Sequence, residues 1–173
     1  LPSRGFEERR SGFIAPPGDG STISIVVSPT SDRLQLLEPF TAWDGRDFAG
    51  LAVLLKATGK CTTDHISPAG PWLKYRGHLD KISDNMFLGA INAFTKEPGT
   101  GINVLTGETA NLAANARAYK AAGLGWVSIG DENYGEGSSR EHAAMSPRFL
   151  GCKAVIARSL GALFHPVLYP GVG

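Results

Sequence analysis

Trp126-Val127-Ser128-Ile129-Gly130-Asp131-Glu132-Asn133-Tyr134-Gly135-Glu136-Gly137-Ser138-Ser139-Arg140-Glu141-His142-Ala143-Ala144 is the stretch on which the fold turns. Its first four residues are mostly apolar and β-branched, so they predict a strand. A loop punctuated by Gly130, Gly135 and Gly137 follows. Ser138 and Glu141 have the Ser-x-x-Glu spacing of a capping box, which predicts a helix starting at Ser138. Upstream, Leu112, Ala116, Tyr119 and Ala122 recur at helical spacing, and Gly123 stands where a left-handed C-cap belongs. Downstream, residues 153–158 read as a strand. Helix, strand, glycine-rich loop, helix, strand is an α/β signature.

Further out, residues 51–57 read as a buried strand, although their length also suits a short helix. Residues 23–27 are β-branched and stop at Ser28-Pro29, so a strand is expected there too. Residues 60–71 are polar and turn-rich and are expected to form a loop at a strand end. Residues 1–22 show no periodicity and are expected to be a linker or arm. They lack an initiator Met, as would a piece of something larger. No internal repeat is present.

Composition narrows the function classes. With 173 residues, 42% of them hydrophobic, the chain has material for one domain with a real core. Lys+Arg 17 against Asp+Glu 16 gives a net charge of +1, so bulk charge offers no case for a nucleic-acid or acidic-membrane partner. No apolar run is long enough to span a membrane, so no membrane partner is expected. Cys61 and Cys152 fit no metal-ligand or Cys-x-x-Cys spacing, which favours two small buried side chains in a reducing compartment. Glycine, at 22 of 173, well exceeds the usual ~7%, pointing to loops that lie close to a ligand or partner. Trp72 and Trp126 are expected to anchor the core, and Trp43 to fold over a turn. His165 reads as a bystander.

Two constellations could carry chemistry. At the start of the helix predicted after Gly137, free N–H groups and the positive end of the helix dipole favour an anion, and Arg140 adds a fork suited to a carboxylate. A serine among such donors could act as a base through a stabilised alkoxide. The plainer alternative makes Ser138 a helix cap and Arg140 a surface charge. The second constellation is Thr62-Thr63-Asp64-His65 with Arg76, which could orient a polyacid, or else supply an Asx turn and a solvated charge. Gly135-x-Gly137 lacks the further glycine of a nucleotide fingerprint.

Residues 130–144, with Lys60-Cys61-Thr62-Thr63-Asp64-His65-Ile66-Ser67 and Gly70-Pro71-Trp72-Leu73-Lys74-Tyr75-Arg76-Gly77-His78-Leu79-Asp80, closely resemble the C-terminal swivel domain of mitochondrial-type aconitases, the aconitate hydratases. The pieces Arg33-Leu34-Gln35-Leu36-Leu37-Glu38-Pro39-Phe40 and Trp43-Asp44-Gly45 extend the resemblance, which runs from about Leu1 to about Arg158. It implies an α/β swivel domain with a β-rich core flanked by helices over residues 23–158, after an arm over 1–22 and before a divergent tail over 159–173. That tail reads as truncated or mis-spliced, and its apolar residues lack later elements to pack against.

The activity implied is isomerisation of citrate to isocitrate through cis-aconitate. It takes place at a 4Fe-4S cluster held by cysteines of other domains, this chain binding no cofactor itself. In the family, the residue matching Ser138 is the base that removes the substrate's Cα proton. Those matching Arg76, Ser139 and Arg140 contact substrate carboxylates, and the one matching Asp64 belongs to the same site. The implied partners are citrate, cis-aconitate and isocitrate, with cluster-bearing domains in cis or in trans. The implied compartment is the mitochondrial matrix, the cytoplasm being the alternative. Two rival readings accompany this one: a small subunit of a two-chain hydro-lyase similar to isopropylmalate isomerase, and a non-catalytic remnant that binds tricarboxylates or a partner.

Overall fold

The computed structural model describes residues 12–161. Its centre is a three-stranded parallel sheet in the order β1 (Ala52–Lys56), β4 (Trp126–Ile129), β5 (Cys152–Ile156). Between β1 and β4 the chain runs through α1 (Thr63–Ile66), a 3-10 turn (Gly70–Tyr75), α2 (Leu79–Ile82) and a second 3-10 turn (Ser83–Asn85). A small antiparallel pair, β2 (Thr100–Ile102) with β3 (Thr109–Asn111), and α3 (Leu112–Ala121) complete that crossover. α4 (Glu141–Phe149) links β4 to β5. Parallel neighbours need such crossovers, and these cover the sheet. The central strand is accordingly the most buried, with Trp126 and Ser128 fully enclosed.

Trp126 organises the core. Phe87 meets its ring edge-on at 6.3 Å, and its indole N–H donates to the Leu150 carbonyl at 2.8 Å, so the one polar atom of a large buried side chain is satisfied. Leu112, Ala116 and Tyr119 bring the predicted face of α3 against it. Asn111 Oδ1 caps that helix by accepting from Ala113 N at 2.8 Å. At the other end Leu124 N donates to Tyr119 O and Gly123 N to Lys120 O, with Gly123 at φ +70, which is the left-handed Schellman ending expected from the sequence.

Several expectations are corrected. Residues 23–27 form no strand: Ile23, Ile25 and Val26 are exposed and no strand among the described residues lies beside them, so β-branching alone had nothing there to pair with. Residues 60–71 are not all loop, since α1 and the start of a 3-10 turn fall within them. Trp72 is only half-buried, tilted against Tyr75 at 6.3 Å, and stays outside the core. Trp43 does fold over a turn, its indole N–H donating to Arg46 O at 2.8 Å. Cys61 is buried and Cys152 partly so. His165 and most of the 159–173 tail lie outside the described residues. Among the described residues no helix is long and apolar enough to cross a membrane.

Candidate active site

The helix predicted at Ser138 begins at Glu141, with Arg140 in the N-cap position at φ −108 and ψ 100 and no side-chain cap. Ser138 is therefore not a helix cap. Its carbonyl accepts from Arg140 N at 2.8 Å, and its side chain is exposed. The cause is the conformation just upstream. Gly137 sits at φ +126, a region closed to most residues with a Cβ, and turns the chain before α-helical geometry begins.

That turn is pressed against the loop that carries Asp64. A Cβ built on Gly137 would lie 2.7 Å from Thr63 Oγ1, so only glycine permits this approach. Two backbone hydrogen bonds register the loops: Gly135 N donates to Cys61 O at 2.8 Å, and Thr63 N donates to Glu136 O at 2.9 Å. Arg140 completes the junction by pairing with Asp64 and donating to Ser67 O at 3.3 Å. Segments more than 70 residues apart in the sequence are thus joined at Ser138's shoulder.

The acceptor for Arg140 is itself anchored. Ser67 Oγ donates to Asn85 Oδ1, and Asn85 Nδ2 donates to Pro68 O, each at 2.9 Å and within buried surroundings. His65 Nδ1 accepts from Thr62 N at 3.0 Å, which places its proton on Nε2 and fixes the start of α1.

Arg76 ends the 3-10 turn at Gly70–Tyr75, exposed, and has no ion pair among the described residues. Its charge nevertheless reaches His142, as does that of Arg140. The imidazole's pKa lies below the ordinary value, first through burial and then through these two guanidinium groups. The fold thus brings Asp64, Ser138, Ser139 and Arg140 to one junction, with Arg76 close enough to act electrostatically on the first turn of α4. Among the described residues, the N–H groups of Gly137, Ser138 and Ser139 have no acceptor. The result is an open, donor-rich surface with a free hydroxyl and two cations, suited to a polycarboxylate.

Sequence reasoning missed Asn85 altogether, and it missed what Thr63 and His142 do. Asn85 and Thr63 act through burial, which composition and spacing do not reveal. His142 stood in the quoted motif, yet nothing local signals that its Nε2 would be buried without a partner. Two grooves, of about 490 and 870 Å³, lie elsewhere and are lined by none of the five predicted residues. The donor-rich surface is open rather than a cavity.

No group of three or more His, Cys, Asp or Glu among the described residues is placed to hold a metal. Two thiols, Cys61 and Cys152, are also fewer than an iron–sulfur cluster takes. Burial pushes both up to about 12.

A family model described as the aconitase C-terminal domain matches residues 51–168. The chain is 58% identical over 163 residues to the mitochondrial aconitate hydratase of Arthroderma benhamiae and 56% identical to that of Saccharomyces cerevisiae. It is 58% identical to the probable mitochondrial aconitate hydratase of Caenorhabditis elegans. Each comparison covers 94% of this chain and 21% of the relative, so the chain spans about a fifth of the length of the proteins it matches. Those relatives are lyases by name, and the parallel sheet with its flanking helices and small antiparallel pair agrees with a swivel domain. With its glycine-turned serine loop and its matched domain, this chain belongs to the aconitase family and carries that family's C-terminal domain.

Proposed function

We propose that the chain is the swivel-domain portion of an aconitate hydratase, residues 23–158 forming that domain, and supplies one wall of a site that interconverts citrate and isocitrate through cis-aconitate. The observation that carries this reading is the junction at Gly137. Ser138 is released from capping and exposed, next to unaccepted N–H groups and to an arginine held by Asp64 and Ser67 O. In this role Ser138 Oγ takes the proton from the substrate's Cα, and the electron pair left behind forms the new C=C bond. Loss of the hydroxyl on the adjacent carbon falls to groups outside this chain. The neighbouring N–H groups and cations favour the serine's deprotonated form. Arg76, Ser139 and Arg140 receive carboxylates, and Asp64 keeps Arg140 in line.

The cluster belongs to other domains, in cis or in trans, and the proposed compartment is the mitochondrial matrix, a reading supported by relatives named as mitochondrial. Alone, the purified chain does not turn over citrate, and measurable activity without those domains would overturn the reading. In the enzyme completed by them, Ser138→Ala lowers kcat by about 10²–10⁴-fold, the range for loss of a general base, with little change in substrate affinity. Arg76→Lys mainly weakens binding, because a point charge replaces a fork. Equal effects on both parameters in the two variants would refute the roles.

A further inference from the structure

Residues 32–35, ahead of β1, contact residues 77–81, which directly follow Arg76. Leu34 and Gly77 form a parallel bridge, and Gln35 N donates to Gly77 O at 2.9 Å. Gln35 Oε1 accepts from Asp80 N at 2.9 Å, and Asp32 pairs with Lys81. The approach is close, since a Cβ on Gly77 would lie 2.8 Å from Arg33 O.

These contacts answer a specific need. α2 is a single turn and cannot satisfy its own first N–H groups. His78 Nδ1 accepts from Lys81 N at 3.3 Å, and Gln35 accepts from Asp80 N. Gln35 therefore closes residues 77–80 at both ends, once with its backbone and once with its side chain. Arg76 immediately precedes that segment, and no acidic partner among the described residues holds its guanidinium. The backbone that Arg76 leaves is thus held by residues 32–35, which limits the space its side chain can reach.

We propose that residues 32–35 are a strap that orients Arg76, with Gln35 as a positioning residue for tricarboxylate binding. The strap lies ahead of the segment matched by the family model, which begins at residue 51. The proposal rests on the reading of Arg76 as a substrate arginine.

The test uses the enzyme completed by its cluster-bearing domains, with propane-1,2,3-tricarboxylate as a non-reacting probe. Gln35→Ala is expected to weaken probe binding by about five- to tenfold, the effect of about one lost hydrogen bond, raising KM with kcat little changed. Gln35→Glu keeps the acceptor and is expected to restore binding to within about twofold of wild type. In an Arg76→Ala background, Gln35→Ala should add nothing, because both changes act through one side chain. In the chain by itself, Gln35→Ala should speed amide exchange at Asp80. Probe binding unchanged by Gln35→Ala while Arg76→Ala weakens it, effects that multiply in the double variant, or unchanged exchange at Asp80 would each overturn the strap. If Arg76→Ala itself leaves probe affinity unaltered, the active-site reading fails, and the strap's purpose with it.

Discussion

Gly137→Ala is the sharpest perturbation of the junction. Its cost has two separable parts. The backbone at φ +126 strains any residue with a Cβ, by about 1–3 kcal/mol. The added methyl would also stand 2.7 Å from Thr63 Oγ1, in a loop tied down by Thr63 N–Glu136 O and Gly135 N–Cys61 O. Overpacking of that kind costs about 1–3 kcal/mol. Together these give about 2–6 kcal/mol, which for a chain of this size lowers the melting temperature by roughly 5–20 °C. Gly107→Ala is the control. Its φ is +76 and nothing lies within 4 Å of a built Cβ, so it should suffer only the backbone part, roughly 2–12 °C. Thr63→Ala in the Gly137→Ala background should recover the contact part, since the Thr63 hydroxyl is buried without a partner and its loss breaks no hydrogen bond. Scanning calorimetry on wild type and these three variants decides the matter. A Gly137→Ala melting point equal to that of Gly107→Ala, or no recovery in the double variant, would show that the two loops are not wedged together.

Asn85→Ala removes the clamp on Ser67 and Pro68, leaving buried polar atoms unsatisfied, and should cost about 2–3 kcal/mol in chemical denaturation. A loss below about 0.5 kcal/mol would contradict that role. For His142, burial and then Arg140 and Arg76 outweigh the opposing pull of Glu141, so the folded protein binds fewer protons than the unfolded chain between its lowered pKa and about 6.5. Stability from this group is complete above about pH 6.5 and disappears as pH falls through the lowered value, so melting temperature should drop more steeply from pH 7.5 to 5 in wild type than in His142→Gln. Parallel pH curves would refute this. Both cysteines, with thiols pushed up to about 12, should react with a disulfide reagent at pH 8 roughly a thousandfold more slowly than a free thiol until the protein is unfolded. Rapid labelling of either in the native chain would count against the described packing.

Much of the sheet and of α3 was legible because local signals and tertiary packing agree there. Trp126–Ile129 is apolar and β-branched and also central in the sheet, and Gly123 marks a helix end that the backbone does adopt. The signals failed where partners decided. Residues 23–27 had strand character with no neighbouring strand among the described residues, and Trp72 had the bulk of a core residue without a core to enter. At the site, the residue types were readable from the motif, whereas the Ser138 capping box was a local inference that the structure replaced. Arg140 takes the N-cap position, and its side chain goes to Asp64 and Ser67 O rather than to solvent.

By itself the sequence determined the alternation of helices and strands, the family and the chemistry available at residues 64, 76 and 138–140, because these depend on residue identity and short spacings. Only the tertiary structure decided that Ser138 stands free, that Arg140 is held from across the chain, and that Gln35 closes the segment beside Arg76. These rest on long-range hydrogen bonds and on the close approaches that Gly137 and Gly77 permit. Such contacts exist only once distant segments have folded against each other, and no local pattern encodes them.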